Sequence, residues 1–479
     1  MASFRPDLIV IPYLGIGIVI ASSRPSRIPA RTWKIAAVTG AGAFMAMLDS
    51  TLANLALESI RDDFASTLPI VQWVVTGYLV ALAVSLPIVG WLGRRHGYGR
   101  LWATGLAAFT IFSAFCAMAS GPIVLIAARF LQGLAGGLMV PAGQAVIGAT
   151  ARPNELGRLM GVLGLVVSLG PAVGPAIGGW LLEIASWRWL FWMNVPIGLA
   201  TLILGRGLVP GGSTSKTYPL DRSALVLISI GLPLFLYGAA ELGATGLTRI
   251  SIMAVTIGAV LTAGFILDTF RVAHPLIDLR LLRGHSFAAA SATTCLTGAN
   301  MYGGLLLLPL YFQLATGRDT IETGLLLLAM GLGSAVALPV AGALTDRHGA
   351  GLVSLAGAGL LLVTTLPFLL PGTLSTTALV LILVARGVGM AWAQMPAMTA
   401  AYASVTSEQM GDASTLINIV QRVGGAMGAV GIVIMLARAD GGTGSSAYVG
   451  AFGVLVIVSA LTLASAAILR QHTRVRIAS

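Results

Sequence analysis

Fourteen apolar runs of roughly 20 residues each, separated by short charged punctuation, set the limits on what this chain can fold into. They cover 35–57, 70–92, 101–119, 122–148, 159–184, 188–207, 222–243, 249–268, 286–312, 321–345, 350–371, 375–402, 411–437 and 446–470. That length is what an α-helix needs to cross the hydrocarbon of a bilayer. Charged residues make up 9% of the sequence and hydrophobic residues 57%, with a mean hydropathy of +0.91. A soluble domain carries roughly 25% charged residues. Too little charge is present to cover a water-facing surface, which excludes a soluble enzyme, a disordered chain and a collagen-like rod. The fold class that follows is an all-α polytopic membrane protein.

The formal net charge is +11, from 28 Lys and Arg against 17 Asp and Glu. Such an excess can serve nucleic-acid binding, but in a membrane protein its use is topological, because cytoplasmic loops collect Lys and Arg. With the N-terminus inside, 20 basic residues fall in cytoplasmic segments and 5 outside, while Arg129, Arg386 and Arg422 lie within runs. The bias places a multi-pass protein in a bacterial inner or cytoplasmic membrane, with both termini cytoplasmic and no nucleic-acid partner. Residues 1–33 hold a shorter apolar run, Leu8–Ala21, and read as a cytoplasmic or interfacial extension. Cys116 and Cys295 lie in apolar runs without metal-ligand spacing and read as buried thiols.

The chain also repeats itself. GWLGRRHG (90–97) follows the second run and GALTDRHG (342–349) follows the tenth. Arg129 in the fourth run is echoed by Arg386 in the twelfth, each followed by glycines and then a proline, Pro141 and Pro396. This self-similarity divides the chain into an N-terminal six-helix bundle (34–207), a linker with two additional transmembrane helices (208–285), a C-terminal six-helix bundle (286–470) and a cytoplasmic tail (471–479). Parallel six-helix halves are a transporter plan, with the substrate site at the midplane between them.

Five stretches carry a resemblance: MLDSTLANLAL (47–57), GWLGRRHGYGR (90–100), ARFLQGLAGG (128–137), GPAVGPAIGG (170–179) and WRWLFWMNVPIG (187–198). Together they resemble the major facilitator superfamily, and within it the fourteen-helix drug:proton antiporters, over residues 35–470. The resemblance implies the major facilitator fold, with two six-helix bundles plus two extra transmembrane helices. It also implies a proton-coupled exporter (antiporter) of amphipathic small molecules such as drugs, working by alternating access. Conformational roles then fall to Gly90, Arg95 and Gly97, to Gly170, Pro171, Gly174, Pro175 and Gly178, and to Asp346, Arg347 and Arg386. The family's loop usually has an acid where this chain has Arg94, whereas the second copy keeps Asp346. A charge latch is therefore not carried onto the first copy.

Asp49 reads as the single acid held within a span, and an ionisable group inside a bilayer is a functional candidate by default. Burial disfavours a charged carboxylate and a nearby Arg favours it, so such a site can couple protonation to conformation. Counting at about 1.5 Å per residue puts Asp49 roughly 13 Å and Arg129 roughly 10 Å below the ends of their runs. They lie at similar depth, and the pair is the candidate for proton coupling. Arg129, Gln132, Gly133, Gly136 and Gly137 share one helix face, which also suits plain helix packing. Gly170, Gly174 and Gly178 form a close-contact face on a helix that Pro171 and Pro175 can bend. Phe44, Asn54, Gln132, Asn300, Trp392, Gln394, Asn418, Gln421 and Arg422 are the candidates for a substrate cavity.

No Gly-rich phosphate loop ending in Gly-Lys-Ser/Thr is present, which argues against ATP-driven transport. No Ser-His-Asp or paired-carboxylate set lies within the runs. No enzymatic activity, catalytic residue, cofactor or metal site is expected. The expected partners are a small-molecule substrate, protons and the bilayer around a monomer, and no adaptor protein is identifiable. Two other readings stay open: a specific-metabolite transporter or importer on the same fold, and a membrane-embedded channel or enzyme.

Overall fold

A computed structural model describes residues 8–11, 18–21, 28–152, 154–212, 214, 219–272, 275–370, 375–438 and 445–478. Its main helices are α1 (Ala30–Leu55), α2 (Leu68–His96), α3 (Tyr98–Ala117), α4 (Pro122–Thr150), α5 (Leu156–Ile184), α6 (Asn194–Gly205) and α7 (Arg222–Thr245). They continue as α8 (Arg249–Thr269), α9 (His285–Ala315), α10 (Thr320–His348), α11 (Ala350–Leu369), α12 (Thr376–Ala403), α13 (Met410–Arg438) and α14 (Ser445–Ala478). Among the described residues, 12 helices are long and apolar enough to cross a membrane, and Leu156–Gly170 and Trp189–Gly205 form shorter apolar helices. The protein is an all-helical, multi-pass membrane protein. One departure lies in the N-terminal extension, where β1 (Leu8–Ile11) pairs antiparallel with β2 (Ile18–Ala21). Both segments are rich in β-branched Ile and Val, which suit a strand.

Local chemistry sets the helix ends. The Asp319 and Ser375 side chains accept from Glu322 N and Ala378 N, satisfying free amides at the starts of α10 and α12. The repeated loops end their helices alike: Gly97 closes α2 at φ +89° and Gly349 closes α10 at φ +86°. That left-handed backbone favours glycine, which explains why both copies of the loop end on it.

Among the described residues four cores divide the interior, the smallest formed by Ala358, Leu361, Ala393 and Ala466 in the second half. One joins α1–α5 and α7–α10 to α12–α14 through residues such as Met45, Tyr78, Met139, Leu163, Ile277, Ala341, Tyr402 and Met410, and runs from mid-helix to the ends bearing the basic loops. At the opposite ends the halves keep separate cores. Leu48, Leu52, Val74, Leu125 and Phe191 pack in the first half, and Leu307, Phe312, Phe368, Leu383 and Phe452 in the second. The halves are thus joined at the basic end. The hairpin α7–α8 closes on itself at Gly238 and Gly258, where a Cβ would meet Val255 N at 2.6 Å and Phe235 N at 2.3 Å. It rests α7 against both α2 and α13.

Candidate functional site

Asp49 and Arg129 meet at the centre of the first half. Arg129 Nη1 donates to Asp49 Oδ2 at 2.5 Å, with the two side chains 0% and 1% exposed. Gln132, one turn along α4, donates Nε2 to Asp49 Oδ1 at 3.2 Å and accepts from Arg129 Nη1 at 2.8 Å. Asn194 at the start of α6 donates Nδ2 to Asp49 Oδ1 at 2.7 Å and to Ser113 Oγ of α3 at 3.0 Å. Arg129 Nε donates to Val74 O of α2 at 3.1 Å, and its guanidinium stands 4.2 Å from the centre of the Tyr78 ring. Burying two ions costs several kcal/mol each unless hydrogen bonds complete the pair. Here four helices besides α1 supply ligands or lean on them.

The glycine face of α4 makes this geometry possible. A Cβ at Gly133 would lie 2.4 Å from Tyr78 O, and one at Gly137 would lie 2.1 Å from Ser85 Oγ. Without side chains there, α2 approaches closely enough to lay Tyr78 over Arg129. The glycines therefore serve packing, and the packing serves the ion pair.

A second polar set ties the two halves at the basic end. Arg94 of α2 pairs with Asp412 in the first turn of α13, and Gly90 leaves room for that carboxylate. Asp346 of α10 accepts from Gly157 N at 2.8 Å, Arg158 N at 3.1 Å and Arg158 Nε at 2.9 Å, all on α5. Beside it α5 and α10 cross on bare backbone: a Cβ at Gly342 would lie 2.4 Å from Gly157 O, and one at Gly161 2.8 Å from Leu338 O. Gln144 of α4 accepts from Asn418 Nδ2 at 2.7 Å and from Tyr402 Oη at 3.2 Å. The reading of Asp49 as the single acid held within a span is corrected: Asp412, 6% exposed, lies in the first turn of α13, and Glu183, Glu241, Asp268 and Glu322 lie near the ends of α5, α7, α8 and α10.

The remaining sequence candidates scatter. Asn300 is fully buried and committed to α14, accepting from Ser459 Oγ at 2.9 Å and donating to Thr462 Oγ1 at 3.3 Å. Asn54 is exposed and donates to Ser50 O of its own helix. Phe44, Trp392, Gln394, Gln421 and Arg422 are half-buried, and Phe44 packs on the outer core of the first half. Arg95 is exposed with its guanidinium 5.1 Å from the Trp91 ring, and Arg347 is exposed. Gly170, Gly174 and Gly178 face Met47, Thr51 and Leu52 of α1 and not the other half. The side chains of Pro171 and Pro175 lie outside the described residues. Arg386 is buried in the second half.

Sequence reading missed Asn194, Ser113, Gln144, Asp412 and the Gly157–Gly161 crossing. Asn194 is a polar residue inside an apolar run, and Gly157 and Gly161 repeat at four-residue spacing; both were available as signals.

The family model of the Major Facilitator Superfamily matches residues 39–429. The chain belongs to this superfamily. Over 421 residues it is 34% identical to the multidrug resistance protein B homolog of Mycobacterium tuberculosis, covering 86% of this chain and 78% of that one. Over 334 residues it is 32% identical to the tetracenomycin C resistance and export protein of Streptomyces glaucescens, covering 69% and 62%. The crystal structure of the human organic anion transporter MFSD10 (TETRAN) superposes with a TM-score of 0.59 at 15% identity, covering 92% of this chain and all of that one. That likeness is one of fold.

Proposed function

We propose that this superfamily member is a proton-driven exporter of amphipathic small molecules, an antiporter with fourteen spans and cytoplasmic termini. The observation that carries the proposal is the sealed Asp49 carboxylate. It lies against Arg129, and its two oxygens accept from three side chains on two other helices. A proton placed on Asp49 Oδ2 displaces the hydrogen bond from Arg129, whose Nη1 keeps Gln132 Oε1 at 2.8 Å as a second acceptor. Protonation therefore loosens the tie between α1 and α4 without stranding the cation. The resemblance to multidrug resistance and antibiotic export proteins supports drugs as cargo.

Basic loops facing the cytoplasm make the joined end the inner one, so the arrangement is the outward-facing one. Turning inward then requires the Arg94–Asp412 and Asp346–Arg158 ties to part. A pump for one natural product is the second reading, favoured by the similarity to the tetracenomycin C export protein.

The test is dye or drug export in proteoliposomes with an imposed pH gradient. Wild type should export uphill and stop when the gradient is collapsed. Asp49→Asn, checked for folding, should bind cargo and fail to move it uphill. Near wild-type export by that variant would sink the assignment. Reporter fusions after 62, 122, 186 and 317 should read outside, and those after 97, 155, 215, 278 and 474 inside. Opposite sides at 215 and 278 would defeat the fourteen-span count.

A further inference from the structure

Arg386 repeats Arg129 in the second half, but it lacks the counter-ion that makes the first one tolerable. It is 2% exposed, and no carboxylate among the described residues pairs with it. Nη1 donates to Thr365 Oγ1 of α11 at 2.5 Å, and Nη2 is buried without a hydrogen-bond partner. Thr365 spends its own hydrogen on Leu361 O at 2.6 Å, so it offers Arg386 a neutral oxygen and no charge.

The helix that would supply the counter-ion by repeat symmetry is α9, which matches α1. Over His285–Leu310 it contains no Asp or Glu. Asn300, the amide within His285–Leu310, is held by α14. What α9 presents to Arg386 is Gly304, where an added Cβ would lie 3.4 Å from Nη2. The repeat has kept the cation and dropped the anion. Arg129 also leaves Nη2 without a hydrogen bond, but it has Asp49 and lies over the Tyr78 ring. A lone buried charge is costly, and each unpaired N–H adds to that cost.

We propose that the Arg386 guanidinium, between α9, α11 and α12, is a binding site for a compact monovalent anion, either a small anion from solution or the acid group of a transported molecule. A guanidinium fork accepts a carboxylate through parallel N–H bonds and holds a halide by the same donors. The site does not depend on whether Asp49 carries protons, and binding to the purified chain is read without transport.

The experiment is thermal unfolding of the full chain in detergent at fixed ionic strength, with chloride, acetate or salicylate replacing a bulky sulfonate. Wild type should show a saturating upward shift in Tm, as ligand linkage requires. Arg386→Gln should show none, and in sulfonate alone it should be at least as stable as wild type, because the lone charge is gone. Arg386→Lys should keep a shift with chloride as a point charge and lose part of the shift with acetate and salicylate, which need the planar fork. Saturation by chloride and acetate alone assigns the site to small anions from solution, while tighter saturation by salicylate assigns it to an acid group on cargo. A flat wild-type response overturns the proposal whatever the variants do, and so do equal titrations in wild type and Arg386→Gln.

Discussion

Arg94 of α2 and Asp412 of α13 join the two halves by an ion pair in which the first-half loop contributes the cation. Both carboxylate oxygens of Asp412 accept from Arg94 Nη1, and Arg94 Nη2 reaches Leu276 O at 3.4 Å. Side-chain exposures of 19% and 8% make the pair largely buried. Removing one partner from a buried pair costs about 3–5 kcal/mol, largely by leaving the other charge unpaired. Arg94→Gln and Asp412→Asn should each loosen the joined end and lower export. The exchange Arg94→Asp with Asp412→Arg should recover part of both. Cysteine accessibility at the basic end, measured beside export, decides this. Single variants indistinguishable from wild type in both assays would make the pair passive.

The glycine crossing of α5 and α10 should be as sensitive as the ion pairs beside it. Gly342→Val puts side-chain atoms where a Cβ is already 2.4 Å from Gly157 O, so the halves cannot close there. Export should fall at least tenfold with the protein still in the membrane. Gly174→Leu acts inside the first half, since its Cβ would lie 2.8 Å from Thr51 Cγ2, and should reduce transport with folding retained. Gly179, with nothing within 4 Å of an added Cβ, is the control, and Gly179→Ala should export normally. Equal export by Gly342→Val and Gly179→Ala would remove the crossing from the cycle.

Much of the architecture was legible because a membrane imposes it. Apolar length marked the helices, 12 of which among the described residues are long and apolar enough to cross a membrane, and the paired loops end at Gly97 and Gly349 with the same positive φ. Depth counting put Asp49 level with Arg129, and the structure brings them to 2.5 Å. Contacts between distant segments were not legible. Asn194 reaches Asp49 across 145 positions of sequence and Asp412 reaches Arg94 across 318, and no local pattern announces either. The same limit explains Asn300. A polar residue in an apolar run must find a partner, but the sequence does not say whether that partner is cargo or, as here, Ser459 and Thr462.

A pair outside the spans has a defined pH dependence. Asp63 Oδ2 accepts from Arg188 Nη1 at 2.7 Å and from Trp187 Nε1 at 3.2 Å. The hydrogen bond from Arg188 holds the Asp63 carboxyl below its ordinary value. Its stabilisation is therefore full above the ordinary carboxylate range and is lost as pH falls through the lowered value. At 33% and 43% exposure the pair is screened by solvent and is worth about 0–1 kcal/mol. Asp63→Asn should lower Tm slightly at pH 7, and the difference should shrink towards zero in strong acid. A deficit unchanged in acid would mean that the charge contributes nothing.

Asn194 supplies the sharpest test of how the buried carboxylate is held. Its Nδ2 donates to Asp49 Oδ1 at 2.7 Å and to Ser113 Oγ at 3.0 Å, and Ser113 Oγ in turn donates to Phe191 O at 3.0 Å. A hydrogen bond to a charged group is worth about 1.5–3 kcal/mol, a factor of roughly 10–100 in an equilibrium. Asn194→Ala removes a ligand of Asp49, whereas Ser113→Ala removes only a support of that ligand. Proton-driven export should fall tenfold or more in Asn194→Ala and less in Ser113→Ala. A positioning role moves the pH profile of export in Asn194→Ala. A purely structural tie among α1, α3 and α6 lowers Tm in both variants and leaves the profile in place. An unshifted profile with full export would remove Asn194 from the proposed coupling site and leave Arg129 and Gln132 as the ligands of Asp49 there.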